Sequence, residues 1–134
     1  MIIADTNLLS YLYFDSLHSE EVSLIHEKDP DWACPVLWRS EFVSVVSLYL
    51  RKKIITYKEG LDAIDFARRT VGEREFSVSQ YAVLEHLHES KCSAYDCEFV
   101  ALAGEFNIPL VTYDKKILTE FPGIAIRASD FLRQ

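Results

Sequence analysis

Four short, largely apolar runs of three or four residues limit this chain's fold more than any other feature: Met1–Ala4, Trp32–Cys34, Leu110–Thr112 and Ile124–Ile126. Each is too short for a helix. Each is also bounded by turn formers or acids: Asp5, Asp29-Pro30-Asp31, Asn107-Ile108-Pro109, Asp114 and Gly123. They read as strands. The intervening segments have helical spacing over Asn7–Phe14, Ser19–His26, Val36–Arg51, Tyr81–Ser90, Tyr95–Phe106 and Ile117–Phe121. Trp38, Phe42, Val45 and Tyr49 recur at steps of four, three and four, the apolar stripe of an amphipathic helix. Thr56 with Glu59 is a capping-box signature for a further helix ending before Gly72, and Ser77 with Gln80 reads as a second box. Short apolar strands separated by helices predict an α/β fold, a parallel sheet covered on both faces.

A length of 134 residues with 49% hydrophobic and 26% charged residues, and no repeat or linker, predicts a single domain over 1–134. No apolar stretch of about 18 residues is present, and no leader-like segment opens the chain, so a cytoplasmic, unprocessed protein with no membrane association is expected. Cys34, Cys92 and Cys97 have no C-x-x-C spacing and are expected to be reduced, packed thiols. The formal charge of −7 argues against a simple nucleic-acid binder.

The positions of the acids point to chemistry. Asp5 and Asp114 follow the Met1–Ala4 and Leu110–Thr112 strands, and open parallel sheets bind ligands beyond the carboxyl ends of their strands. Glu41 and Asp96 fall among apolar helical neighbours: Leu37, Trp38, Val45 and Leu48 for the first, Phe99, Val100 and Ala103 for the second. Glu98 and Glu105, by contrast, share what reads as a solvated face. A single buried acid is ordinarily an ion-pair or helix-terminus partner, and Arg39 is available to Glu41. Four acids placed this way suggest a hard divalent cation, Mg²⁺ or Mn²⁺, that relieves their repulsion. His86 and His88, two apart on a helix, cannot converge on zinc.

Ile2-Ile3-Ala4-Asp5-Thr6-Asn7-Leu8-Leu9, Arg39-Ser40-Glu41-Phe42, Ser93 to Ala103 around Tyr95-Asp96, and Leu110-Val111-Thr112-Tyr113-Asp114 together resemble the PIN-domain nucleases. They are most similar to the VapC-type toxins of toxin–antitoxin pairs. The likeness is collinear over essentially the whole chain; Cys97 departs from it, where such toxins often carry a small residue. It implies a three-layer α/β/α sandwich with a central parallel sheet of about four to five short strands. It also implies a metal-dependent endoribonuclease acting on RNA such as tRNA or rRNA, a homodimer, and a small antitoxin partner. By position, Asp5, Glu41, Asp96 and Asp114 are the catalytic and metal-site acids, and Asn7 and Thr112 orient Asp5 and Asp114. Either Asp96 or Glu41 would be the proton acceptor.

Two bound divalent cations would offset four of the negative charges, and Lys115 and Lys116 are candidates for holding RNA phosphates beside the cleft. Arg68-Arg69 reads as solvated surface. Leu9, Tyr11, Leu12, Tyr13 and Trp38 are candidate contacts for a second copy or the antitoxin. Two other readings compete. One is a non-catalytic PIN-like module that binds metal, RNA or a partner. The other is a phosphatase using an aspartyl phosphate at Asp5; the haloacid dehalogenase-like enzymes share such a start but carry a second Asp where Asn7 stands here.

Overall fold

A computed structural model describes residues 1–134. In chain order the elements are β1 (Ile2–Ala4), α1 (Thr6–Tyr13), α2 (Ser19–Lys28), β2 (Trp32–Pro35), α3 (Trp38–Arg51), α4 (Tyr57–Val71) and β3 (Glu75–Phe76). There follow α5 (Gln80–His88), α6 (Ala94–Phe106), β4 (Leu110–Thr112), α7 (Lys115–Glu120), β5 (Ala125–Arg127) and α8 (Ala128–Arg133). The five strands form one sheet in the order β3-β2-β1-β4-β5, every pair parallel. Every side chain of β1 and β4 is wholly buried. Successive strand residues point to opposite faces, so burial of all of them means both faces of the sheet are covered. α6 lies against β1, β2 and β4 with α5 packed on it, while α1 to α4 pack on one another and α8 packs on α2.

The chain leaves β1 toward β2 and β3 on one side, then returns to β4 and β5 on the other. The order therefore reverses between β1 and β4, and the crevice of such a sheet opens at the carboxyl ends of that pair. Register makes the placement specific. Ile3 pairs with Leu110 and Ala4 with Val111, so the next step sets Asp5 beside Thr112; on the other side Thr112 pairs with Arg127.

Local chemistry sets the ends of the helices. Thr56 and Glu59 form the reciprocal capping box that starts α4. α5 corrects the expectation at Ser77: the capping residue is Ser79, which accepts from the Ala82 amide at 3.4 Å, because Ser77 lies in the extended segment after β3. α3 begins at Trp38 rather than Val36, and α7 at Lys115 rather than Ile117, because Asp114 caps it. Two elements had no clear sequence signal. β3 is a two-residue edge strand containing a glutamate, and α8 is a six-residue helix that follows β5 without a break. Gly60 permits the close approach of α4 to α3: a Cβ there would lie 3.3 Å from Val46 Cγ1.

The core also revises several surface readings. Leu9 and Trp38 are buried, and the Trp38 indole donates to Glu75 at 2.8 Å, so neither offers a contact face. Tyr11, Leu12 and Tyr13 are half-buried against the core. Arg39 pairs with Glu75, not with Glu41. Leu48 is exposed, so the apolar stripe runs through Phe42 and Val46 and leaves Glu41 at its margin. The three cysteines are free and buried, and burial holds the thiol of Cys92 up at about 11. No helix is long and apolar enough to cross a membrane.

Candidate functional site

Asp5, Glu41, Asp96 and Asp114, with Thr6, Asn7, Ser44 and Val45, line one cavity of about 220 Å³. Four separate elements deliver the acids. Asp5 follows β1 and Asp114 lies two residues past β4; Glu41 sits in the first turn of α3 and Asp96 in the first turn of α6. All four expected acids therefore face a common space at the sheet's carboxyl edge.

Each carboxylate is held by its own donor. Thr112, fully buried, donates from Oγ1 to Asp5 Oδ2 at 2.6 Å and accepts from the Asp114 amide at 3.0 Å, so one hydroxyl ties the two strand-end acids together. Asp114 Oδ1 accepts from the Lys116 and Ile117 amides at 2.8 and 3.0 Å, as the N-cap of α7. Glu41 Oε1 accepts from the Thr6 hydroxyl at 2.8 Å. Asp96 closes a capping box with Ser93: the Asp96 amide donates to Ser93 Oγ at 3.1 Å, and the Ser93 amide to Asp96 Oδ2 at 3.4 Å. With the side chains in these positions, no three acidic, histidine or cysteine groups are close enough together to share one ion.

The electrostatics record the crowding. Asp5 retains a path to solvent through the cavity but is otherwise enclosed by protein. Burial raises its carboxyl above the ordinary value, the Thr112 hydroxyl opposes that, and Asp114 and Asp96 push it further up. Glu41 is raised by burial first, against its bond from Thr6, with Asp5, Asp96 and Glu98 adding repulsion. Glu98 corrects the sequence reading. It is half-buried and raised by burial, and lines an apolar cavity of about 610 Å³ with Val83, Leu84 and Leu87; Glu105 alone stays in solvent. The lining of the acidic cavity includes no histidine or cysteine. An all-oxygen donor set whose charges repel one another fits a hard divalent cation.

Asn7 lines the cavity as an exposed side chain, while Thr112 does not line it and acts on it through its hydrogen bond to Asp5. Lys115 and Lys116 are exposed and line no part of it. Sequence reasoning missed three residues around the acids: Thr6, Ser44 and Ser93. Ser93 was legible in principle, since Ser93-x-x-Asp96 has capping-box spacing; Thr6 and Ser44 carry no comparable signal.

A family model described as PIN domain matches residues 2–123. No curated protein is significantly similar to the chain in sequence. Several solved structures share its fold. PAE2754 from Pyrobaculum aerophilum is 18% identical with a TM-score of 0.68, over 99% of this chain and 96% of that one. A toxin–antitoxin complex from Klebsiella pneumoniae is 18% identical with a TM-score of 0.69, over 96% and 98%. FitAcB from Neisseria gonorrhoeae is 15% identical with a TM-score of 0.72, over 96% and 99%.

Proposed function

This chain belongs to the PIN-domain family, and on that premise we propose that it is a divalent-metal-dependent endoribonuclease that serves as the toxin of a toxin–antitoxin pair. The carrying observation is the delivery of four carboxylates, from two strand ends and two helix starts, into one cavity at the switch point of a parallel sheet. Members of this family are generally nucleases, and one structural neighbour is a toxin–antitoxin complex.

In this reading Asp5, Glu41, Asp96 and Asp114 hold Mg²⁺ or Mn²⁺, which when bound polarises the scissile phosphate and acidifies a water. The residues supply the rest. Thr112 fixes Asp5 and Asp114 relative to each other, so the strand-end pair is set before RNA arrives. Glu41 and Asp96 stand in the first turns of α3 and α6, and in this reading one of the two takes the proton from the attacking water. Asn7, exposed in the cavity lining, is given the role of orienting Asp5 or hydrogen-bonding a phosphate oxygen. The substrate class is structured RNA, tRNA or rRNA. A small antitoxin and a second copy of the chain are the proposed partners, for which exposed Leu48, Ile54, Tyr57 and Leu61 on or between α3 and α4 supply apolar surface.

A non-catalytic PIN module that binds metal, RNA or a partner is the competing reading, favoured by the lack of a closed trio of acids in the present side-chain positions. Incubation of the purified protein with total tRNA, with Mg²⁺ or with EDTA, separates the two. Cleavage that needs the metal and disappears in Asp96→Asn supports the nuclease. Binding without cleavage in metal-replete buffer overturns it.

A further inference from the structure

We propose that Lys115 and Arg127 form a second phosphate subsite, holding a phosphate of the RNA strand that flanks the one in the acidic cleft. This deepens the nuclease reading and rests on it. The two cations come from different elements, the start of α7 and the last residue of β5, yet line one cavity of about 200 Å³ with Thr112, Tyr113, Ser129 and Glu21. Strand register explains how that cavity adjoins the acids. Thr112 pairs with Arg127 across β4 and β5, and on its other side reaches Asp5. Asp5, Thr112 and Arg127 therefore form one row across the carboxyl edge of three adjacent strands. Strands lie about 4.8 Å apart, so Arg127 starts roughly 10 Å from the strand that carries Asp5, within reach of a neighbouring stretch of the same backbone.

Lys115 and Arg127 are exposed and have no carboxylate partner on a chain of net charge −7, as is true of eight other lysines and arginines; this pair converges on one cavity from two elements. Glu21 is the one acid of that lining, and the Tyr113 hydroxyl donates to it at 2.6 Å, which spreads part of its charge. Arg127 offers a planar fork and Lys115 a mobile point charge, the pair of donors that phosphate oxygens accept. The acidic cleft repels an RNA backbone until cations are bound; a cationic pair one row away gives the strand a place to anchor. Lys116, next to Lys115 in sequence, lines neither cavity, so the structure separates two neighbours that sequence alone treats alike.

The test uses fluorescein-labelled total tRNA and fluorescence anisotropy in an Asp5→Asn background, in which the substrate stays whole. Lys115→Ala and Arg127→Ala are each expected to weaken binding about three- to tenfold. The double variant should lower the salt slope by roughly 0.7, the value for one phosphate contact to a single strand. Arg127→Lys should recover most of the binding, while Arg69→Ala, on the far end of α4, should change it less than twofold. Circular dichroism of each variant guards against unfolding at β5. Parent-like binding and salt slope in the double variant would overturn the subsite while leaving the nuclease intact. Absence of any tRNA binding by the parent would overturn the subsite as a site for tRNA, and the metal-dependent cleavage assay decides the nuclease separately. Undiminished tRNA binding alongside lost binding of polyglutamate would assign the pair to an acidic protein instead and overturn the RNA subsite.

Discussion

Replacing Thr112 by valine tests whether one buried hydroxyl holds the strand-end acids in place. Valine matches the shape of threonine at a position with no solvent exposure, so the change removes the hydroxyl's bonds with little change in packing. Two hydrogen bonds are lost: the 2.6 Å bond to Asp5 Oδ2 and the 3.0 Å bond from the Asp114 amide. A hydrogen bond to a charged group contributes about 1.5–3 kcal/mol, and a buried donor left without an acceptor costs about 1–3 kcal/mol. The Asp114 amide is only part-buried, which puts it at the low end, and the new methyl recovers up to about 1 kcal/mol. The net expectation is a loss of roughly 1.5–4 kcal/mol. Unfolding entropy of about 2.1 cal/mol/K per residue over 134 residues converts this to a Tm fall of roughly 5–14 °C. In an Asp5→Asn background the first bond becomes neutral, worth about 0.5–1.5 kcal/mol, so the same valine should cost about 1 kcal/mol less. Differential scanning calorimetry of the four proteins, metal-free at pH 7, gives the cycle. A Tm fall below about 2 °C for Thr112→Val, or equal falls in both backgrounds, would refute the role given to this hydroxyl.

Other expectations follow from the same site. Asp5→Asn should abolish tRNA cleavage and raise the Tm of the metal-free protein, because it removes an enclosed charge that Asp114 and Asp96 repel; a lower Tm would contradict that electrostatic account. The folded-state pKa values of Asp5 and Glu41 are both raised, so the folded protein binds their protons more tightly than the unfolded chain does. Metal-free protein should therefore gain stability from these two groups as pH falls from 7 toward their unfolded values of 3.8 and 4.5, and saturating Mg²⁺ should abolish the gain; urea midpoints across that range decide it. Ser93→Ala removes the cap of α6 and should cost about 1 kcal/mol, seen as a Tm drop of roughly 3–4 °C. All three thiols should resist Ellman's reagent in the native protein and react together on unfolding, since each is buried; fast labelling of Cys92 without denaturant would show that the turn between α5 and α6 opens locally.

Much of this molecule is written in local pattern. Ile2–Ala4 and Leu110–Val111 are apolar on every residue, and runs this short between helical segments are buried as strands of a sheet covered on both sides, so α/β class and parallel pairing follow from the sequence. The same pattern places Asp5 and Asp114 at strand ends, and the apolar neighbours of Asp96 mark it as an acid in an unusual position. The limits are equally specific. Glu75-Phe76 has no strand signal of its own; it pairs because β2 presents an open edge. Ser77 and Ser79 offer the same capping chemistry, and the path of the chain after β3 chooses between them. Leu9 and Trp38 look like contact residues until neighbouring elements cover them, and Glu98 looks solvated until α5 packs beside it. A helical or extended period is fixed by interactions within a few residues, so sequence determined which segments are regular and which residues are chemically out of place. Register between strands far apart in the chain is fixed by packing and hydrogen bonds that no local stretch contains. Only tertiary structure could set Thr112 between Asp5 and Arg127, and separate Lys115 from Lys116.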